Sequence, residues 1–374
     1  MNKPLLILIL LAAIYTFSSC GVTGTGGIET ETDTTDTTEV TASACGETTE
    51  ETTGAIKMTY TNPIYESDTA DPHIIKHDGV YYIFATGGKI IKSTDLINWQ
   101  PVYGGMRINP GWGTPGAGFW APDVVKIGDK FIVYYSLSVW DDKNPGIGTA
   151  SADHPEGPWT DHGKLFLSKE IGVENSIDPA VFTARDGKIY MVWGSFRGVY
   201  MAELSSDGLS LAGGIEAAKK DKILIAGKDY GYWEGSTFEA PYVIYKDGYY
   251  YLFASSGTCC EGLNSTYHVK VGRSASPTGP YTDSAGRNMT GRNVGHLVIK
   301  SSKDFVGPGH NSIVIDDNGD YYLVYHVWKR VMEDGKATGK GRWLAIDKLI
   351  WSDDGWCEVE GKTPSASAEY PVVK

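Results

Sequence analysis

From Tyr60 onward the chain writes one pattern five times: an apolar strand, a tight turn, then a strand that opens on aromatics and closes on a small or polar residue. The fullest copy runs Phe238-Glu239-Ala240-Pro241-Tyr242-Val243-Ile244-Tyr245, turns at Asp247-Gly248, and returns as Tyr249-Tyr250-Tyr251-Leu252-Phe253-Ala254-Ser255. Asp-Gly and Asn-Gly between apolar runs are strong hairpin signals, because both residues tolerate the positive φ that such turns need. The other copies turn at Asp78-Gly79, Gly128-Asp129, Asp186-Gly187 and Asn318-Gly319, and their return strands end at Thr86, Ser136, Ser195 and His326. Repetition at intervals of roughly 50–70 residues belongs to propeller blades or arrays rather than to unrelated loops. With 46 glycines, 12% aromatic residues and almost no helix-period stretch, the folded part reads as all-β. One short helix is expected around Gly214 to Lys222.

Aligned on their turns, the five units open their inner strands at Asp71, Ala121, Asp178, Ala240 and His310, with Trp120 and Glu239 one place earlier in their own units. Innermost strands of a propeller surround a central channel, so equivalent positions converge at one mouth of it. A lone Asp before Pro commonly starts a strand or caps a turn. Three carboxylates and a histidine at matched positions are harder to explain structurally, because like charges in a partly dry site repel and lose hydration.

The N-terminus reads differently. Residues 1–19 carry an early lysine, an apolar run from Leu5 to Ala13 and Ser18-Ser19 before Cys20, the pattern of a lipoprotein leader with Cys20 as the acylated residue; the run is too short to span a bilayer. Residues 20–57 are a Thr/Gly/Ser/Glu linker with too little apolar surface to offset ordering. Eight acidic residues there, against Lys57, carry more than half of the net charge of −13. Residues 58–374 are expected to be the folded domain, exported and tethered to a membrane only through lipid at Cys20. No basic cluster offers a nucleic-acid surface. Five cysteines show no zinc spacing. A bond from Cys357 to Cys259 or Cys260, or buried free thiols, are both compatible with export.

Aromatics expected at the channel mouth are Trp112, Phe119, Trp120, Trp140, Phe196, Tyr232 and Trp233. Flat faces beside carboxylates suit a sugar, whose C–H faces stack while its hydroxyls seek hydrogen bonds. Glycosidic cleavage needs two carboxylates flanking the bond, one as acid and one as base or nucleophile. A third near the acid helps keep it protonated.

These segments carry a resemblance. Ala70-Asp71-Pro72, Phe119-Trp120-Ala121-Pro122-Asp123, Ile177-Asp178-Pro179-Ala180, Gly194-Ser195-Phe196, Phe238-Glu239-Ala240-Pro241-Tyr242 and Gly307-Pro308-Gly309-His310-Asn311 resemble glycoside hydrolase family 43. The stretch from Cys259 to His268 looks most like its arabinan endo-1,5-α-L-arabinosidases. The resemblance implies a five-bladed β-propeller and a monomer acting on arabinan or arabino-oligosaccharides with inversion. It makes Asp71 the general base, Glu239 the general acid and Asp178 the residue that raises and orients that acid. It places substrate contacts at Trp120, Asn175, Ser195 and Phe196, and a hub calcium beside His310. His73 departs from the small residue expected there, and the segments Trp140 to Gly146 and Leu204 to Gly235 match poorly. Exo-acting arabinofuranosidase or β-xylosidase activity, and a non-catalytic glycan-binding propeller, are the alternatives.

Overall fold

The structure, a computed structural model, describes residues 58–228 and 237–374. The leader, the linker with Cys20, and Tyr232-Trp233 lie outside the described residues. The rest is a five-bladed β-propeller. Blade 1 runs outward through His73–His77, Val80–Ala85, Lys89–Ser93 and Gln100–Pro101; blade 2 through Gly118–Ile127, Lys130–Ser138, Gly146–Ala152 and Thr160–Leu167. Blade 3 comprises Ala180–Thr183, Ile189–Trp193, Val199–Glu203 and Ile223–Ala226; blade 4 comprises Glu239–Lys246, Tyr249–Ser256, His268–Ser274 and His296–Ile299. All five hairpins form at the expected turns, and the short helix is Gly214–Asp221.

Blade 5 closes the ring. Its first three strands, Phe305–Ile315, Tyr321–Glu333 and Lys336–Trp351, are completed by Tyr65–Asp68 from the start of the domain. Asn62 fastens this closure. Its Nδ2 donates to the Ile346 carbonyl at 2.9 Å, and its Oδ1 accepts the Ile346 N–H at 3.1 Å, as a backbone strand would.

Both faces of each sheet are apolar because each blade packs between two others. The buried side chains therefore divide into clusters that each join successive blades. Tyr82, Phe84, Val124 and Tyr135 join blades 1 and 2, and Tyr190, Val192, Leu252 and Ala254 join blades 3 and 4. Trp112 and Phe119 belong here too. Phe119 stacks on Tyr135 with centroids 4.6 Å apart, and Trp112 lies 6.0 Å from the same ring. They are interblade core rather than channel mouth, since side chains alternate along a strand and Phe119 points away from Trp120.

At the hub the five aligned positions share one backbone state. Asp71, Ala121, Asp178, Ala240 and His310 all have left-handed φ, between 43° and 58°. In blades 2, 4 and 5 the ladder slips there, between Trp120 and Asp123, Glu239 and Tyr242, and Gly309 and Ser312. Such a bulge re-aims side chains at the cost of a ladder hydrogen bond. In four of the five positions the freed N–H is caught by the residue that closes the return-strand pattern in the preceding blade's second strand. Asp71 N–H donates to His326 Nδ1, Ala121 N–H to Thr86 Oγ1, Asp178 N–H to Ser136 Oγ and His310 N–H to Ser255 Oγ, at 2.9–3.1 Å. Blade 3 breaks the rule. Its register (Ala180 opposite Val192) puts Gly194 at the acceptor position, and Ala240 N–H turns instead to Asp178 Oδ2 at 3.2 Å.

Two expectations follow. Asn62→Ala leaves the Ile346 N–H unpaired in a buried seam, and the Ile346 carbonyl with the Tyr60 hydroxyl as its remaining side-chain donor, and should cost about 1–3 kcal/mol in denaturant unfolding. Gly194 has φ +126°, and a Cβ there would stand 2.2 Å from the Gly198 carbonyl oxygen. Gly194→Ala should therefore cost about 1–3 kcal/mol and lower Tm by several degrees; a Tm equal to wild type would show that the Gly194–Gly198 turn yields freely.

Candidate active site

One cavity of about 990 Å³ opens on the hub, at the upper end of ordinary ligand sites. Asp71, Asp178, Glu239 and His310 all line it, from blades 1, 3, 4 and 5. So do Trp120, Asn175, Ser195 and Phe196, and thus every residue to which the resemblance gives a catalytic, substrate or metal role. Trp140, 76% exposed, leans over Trp120 with ring centroids 5.5 Å apart, giving blade 2 an aromatic wall.

The carboxylates stand in opposed surroundings. Burial would raise the Asp71 carboxyl, but the His310 imidazolium, then Arg342, hold it well below the usual range. His310 Nδ1 lies 3.1 Å from Asp71 Oδ1, and Arg342 Nη1 lies 3.6 Å from that oxygen. Thr86 Oγ1 donates to Asp71 Oδ2 at 2.5 Å. Asp71 is thus an anion whose oxygens have fixed directions. Burial alone would strip the proton from His310; the Asp71 charge and hydrogen bond outweigh it and raise the imidazole to about 9.

Asp178 and Glu239 behave in the opposite way. Burial pushes both upward, and for Asp178 the Glu239 and Asp71 charges add to that against the pull of His310. Ser195 Oγ donates to Glu239 Oε2 at 2.7 Å, and Tyr267 also hydrogen-bonds it; both contacts temper the rise. Both carboxyls are therefore biased towards keeping a proton while Asp71 is charged.

Asn175 acts behind the surface, its Nδ2 donating to the Ser195 carbonyl at 3.2 Å. His73 has a structural task. Its Nδ1 meets Asp123 Oδ1 at 2.8 Å and its Nε2 meets the Val124 carbonyl at 2.9 Å, while Asp123 Oδ2 accepts Val181 N–H at 3.0 Å. It ties blades 1, 2 and 3 together, where a small side chain would leave Asp123 Oδ1 without this partner.

Sequence reasoning missed His326, Arg342, Tyr267 and the cysteine pair. His326 is neutral: its Nδ1 accepts from Asp71 N–H, and burial lowers the imidazole to about 3. A signal for it existed in the aligned strand ends Thr86, Ser136, Ser255 and His326, each polar after an apolar run. Cys259 and Cys260 are bonded to each other, so the expected bond from Cys357 to that pair does not form; the buried free thiol holds for Cys357 and not for the pair.

Calcium takes six to eight oxygen ligands. Among the described residues there is no group of three or more His, Cys, Asp or Glu that could hold an ion. Asp71 is engaged with His310 and Arg342, leaving one imidazole nitrogen. These residues do not fit an ion gripped directly by the protein.

Known proteins carry the same framework. The family model described as glycosyl hydrolases family 43 matches residues 60–357. An extracellular exo-α-(1→5)-L-arabinofuranosidase of Cellvibrio japonicus is 34% identical, covering 79% of this chain and 87% of that protein. Extracellular endo-α-(1→5)-L-arabinanase 1 of Bacillus subtilis is 32% identical over 76% of this chain and 86% of its own length. Among solved structures, a Cellvibrio cellulosa α-L-arabinanase complexed with arabinohexaose superposes with TM-score 0.66 at 32% identity, over 79% of this chain and 96% of that one. With its fold and the greater part of its sequence matched in this way, the chain belongs to glycosyl hydrolases family 43.

Proposed function

We propose that the protein hydrolyses internal α-1,5-L-arabinofuranosidic bonds of arabinan by single displacement. The observation that carries this reading is the opposed placement of the hub acids: Asp71 lies against the His310 and Arg342 cations, while Asp178 and Glu239, buried and lining the same cavity, are pushed upward by burial. Asp71 takes a proton from water as the water oxygen attacks the anomeric carbon. Glu239 gives its proton to the departing glycosidic oxygen, and the configuration at that carbon inverts. Asp178 keeps Glu239 protonated by like-charge repulsion and fixes the bulge that presents it, through Ala240 N–H. Ser195, itself held by Asn175, orients Glu239, and Trp120 with Phe196 supplies faces for sugar rings. Relatives named as acting on α-1,5-arabinan support the substrate, and their extracellular names support export. Lipid attachment at Cys20 is the anchor we propose. Among the described residues no helix is long and apolar enough to cross a membrane.

The endo reading rests on the size of the cavity, which reaches from Trp140 and Lys143 on blade 2 to Cys259-Glu261 on blade 4 and leaves room for several sugar units. The second reading, release of single end units, is favoured by the exo-acting relative at 34% identity. No step above passes through a metal. The calcium proposed beside His310 would have to keep its water shell, since an imidazole protonated against Asp71 has no lone pair to offer it.

Each element has a measurement. Glu239→Gln should lower kcat by about 10²–10⁴-fold while substrate still binds; equal turnover would remove Glu239 as the acid, and a wild type with no hydrolysis at all would leave a non-catalytic glycan binder. Glu239 is raised, so the proton needed for leaving-group departure persists toward neutral pH and is lost as pH rises; Asp71 is lowered, so the base stays charged far into acid. Asp178→Asn removes the like charge yet keeps an acceptor for Ala240 N–H, so the alkaline limb of kcat/KM should move to lower pH; an unmoved limb would contradict the role given to Asp178. Early products from linear arabinan should be oligomers of mixed length, whereas arabinose or one fixed short product from the outset would select the exo reading. Dialysis against EDTA should lower activity or Tm, with recovery on adding calcium; indifference removes the ion.

A further inference from the structure

Cys259 and Cys260 form a disulfide between neighbours, and both line the cavity that holds Asp71, Asp178 and Glu239. Its placement is not explained by global stability. A cross-link stabilises mainly by closing a loop in the unfolded chain, and this one closes no loop beyond a single peptide. What it does is fix a local surface. The Cys259 carbonyl accepts from Trp328 Nε1 at 2.9 Å and from Ser265 Oγ at 3.2 Å, and Ser265 Oγ in turn receives Glu261 N–H at 3.0 Å. The sulfurs are thereby held at the cavity wall on blade 4.

That wall is otherwise polar. Glu261, Tyr267, Arg342 and Glu239 stand around it, so the two sulfurs and their methylenes are an apolar facet within a ring of hydrogen-bonding groups. Arg342 joins facet and chemistry: its Nη1 lies 3.7 Å from Cys260 Sγ and 3.6 Å from Asp71 Oδ1. An apolar facet one side chain away from the anionic carboxylate matches a furanose ring, which has a C–H face and a hydroxylated edge. Sulfur is soft and polarisable and packs well on such a face.

We propose that the Cys259–Cys260 disulfide is a substrate-binding element, the surface on which the C–H face of an arabinofuranosyl unit packs beside the bond to be cleaved, with Arg342 and Glu261 meeting the hydroxyls of that unit. The inference deepens the arabinanase reading and rests on it. Lining the same cavity as the Trp120–Trp140 pair of blade 2, the disulfide gives it a second apolar surface for the arabinan chain.

The test is steady-state kinetics of Cys259→Ser/Cys260→Ser on linear arabino-oligosaccharides beside the wild type. KM should rise about tenfold while kcat changes by less than about threefold, the signature of lost uniform binding. The limbs of the kcat/KM–pH profile should stay in place. An unchanged KM, with or without a fall in kcat, would overturn the proposal. Should the double variant not fold, calorimetric titration of Glu239→Gln with the same oligosaccharides, before and after dithiothreitol, replaces it. Weaker binding at an unaltered Tm supports the proposal, and equal binding overturns it. A wild type inert towards linear arabinan defeats the arabinan reading and this inference with it; an active wild type with unchanged KM in the variant defeats the inference alone.

Discussion

Everything at the hub depends on five residues held in left-handed backbone conformation and on the N–H groups this frees. A left-handed residue other than glycine is uncommon and persists only where its surroundings over-determine it. Here each such N–H is caught by a side chain from the preceding blade, so the closure of the ring and the aim of the hub side chains are one set of contacts. That arrangement lets residues more than two hundred positions apart, Asp71 and His310 among them, meet within hydrogen-bonding distance. It also concentrates strain where the chemistry is. Blade 3 shows this most clearly, because Gly194 gives up the usual acceptor and Asp178 takes over the bond to Ala240 N–H. One carboxylate thus orients the backbone beside Glu239.

The electrostatics follow from which cations reach which acid. His310 and Arg342 both lie against Asp71, and a short hydrogen bond from Thr86 adds to them. Glu239 receives hydroxyl hydrogen bonds from Ser195 and Tyr267, groups far weaker than a cation at opposing burial. Buried alike, the acids separate into one that is charged and a pair that retains a proton. Groups whose surroundings drive their protonation apart are what acid–base catalysis at moderate pH requires. His326 belongs to this scheme as a neutral partner, since its Nδ1 lone pair is committed to the Asp71 N–H. A charged imidazole there could not accept that bond.

Much of this was legible in the chain because hairpin chemistry is local. Asp78-Gly79, Asp247-Gly248 and Asn318-Gly319 specify their turns regardless of context, and alignment on those turns is enough to superpose Asp71, Asp178 and His310. Family resemblance then attached roles to them. What escaped depends on distance or register. Trp112 and Phe119 were expected at the mouth, but strand alternation sends Phe119 into the seam with Tyr135. Arg342 lies outside the hub-strand pattern with nothing in its neighbourhood to mark it, and Tyr267 lies within the marked stretch from Cys259 to His268 without a residue pattern that gave it a role. The bond between Cys259 and Cys260 could not be inferred from spacing, which is equally compatible with a partner at Cys357. His73 looked like a departure until Asp123 supplied its reason.

The most direct test of the central claim is a carbon-13 NMR titration of the carboxyl groups, assigned through Asp71→Asn, Asp178→Asn and Glu239→Gln. The account predicts that the Asp71 carboxyl remains ionised well below the ordinary carboxylate range, about 3.9 for a free Asp, while a proton stays on the Asp178–Glu239 pair well above it. Three resonances titrating together near pH 4, about where unperturbed carboxyls do, would contradict it.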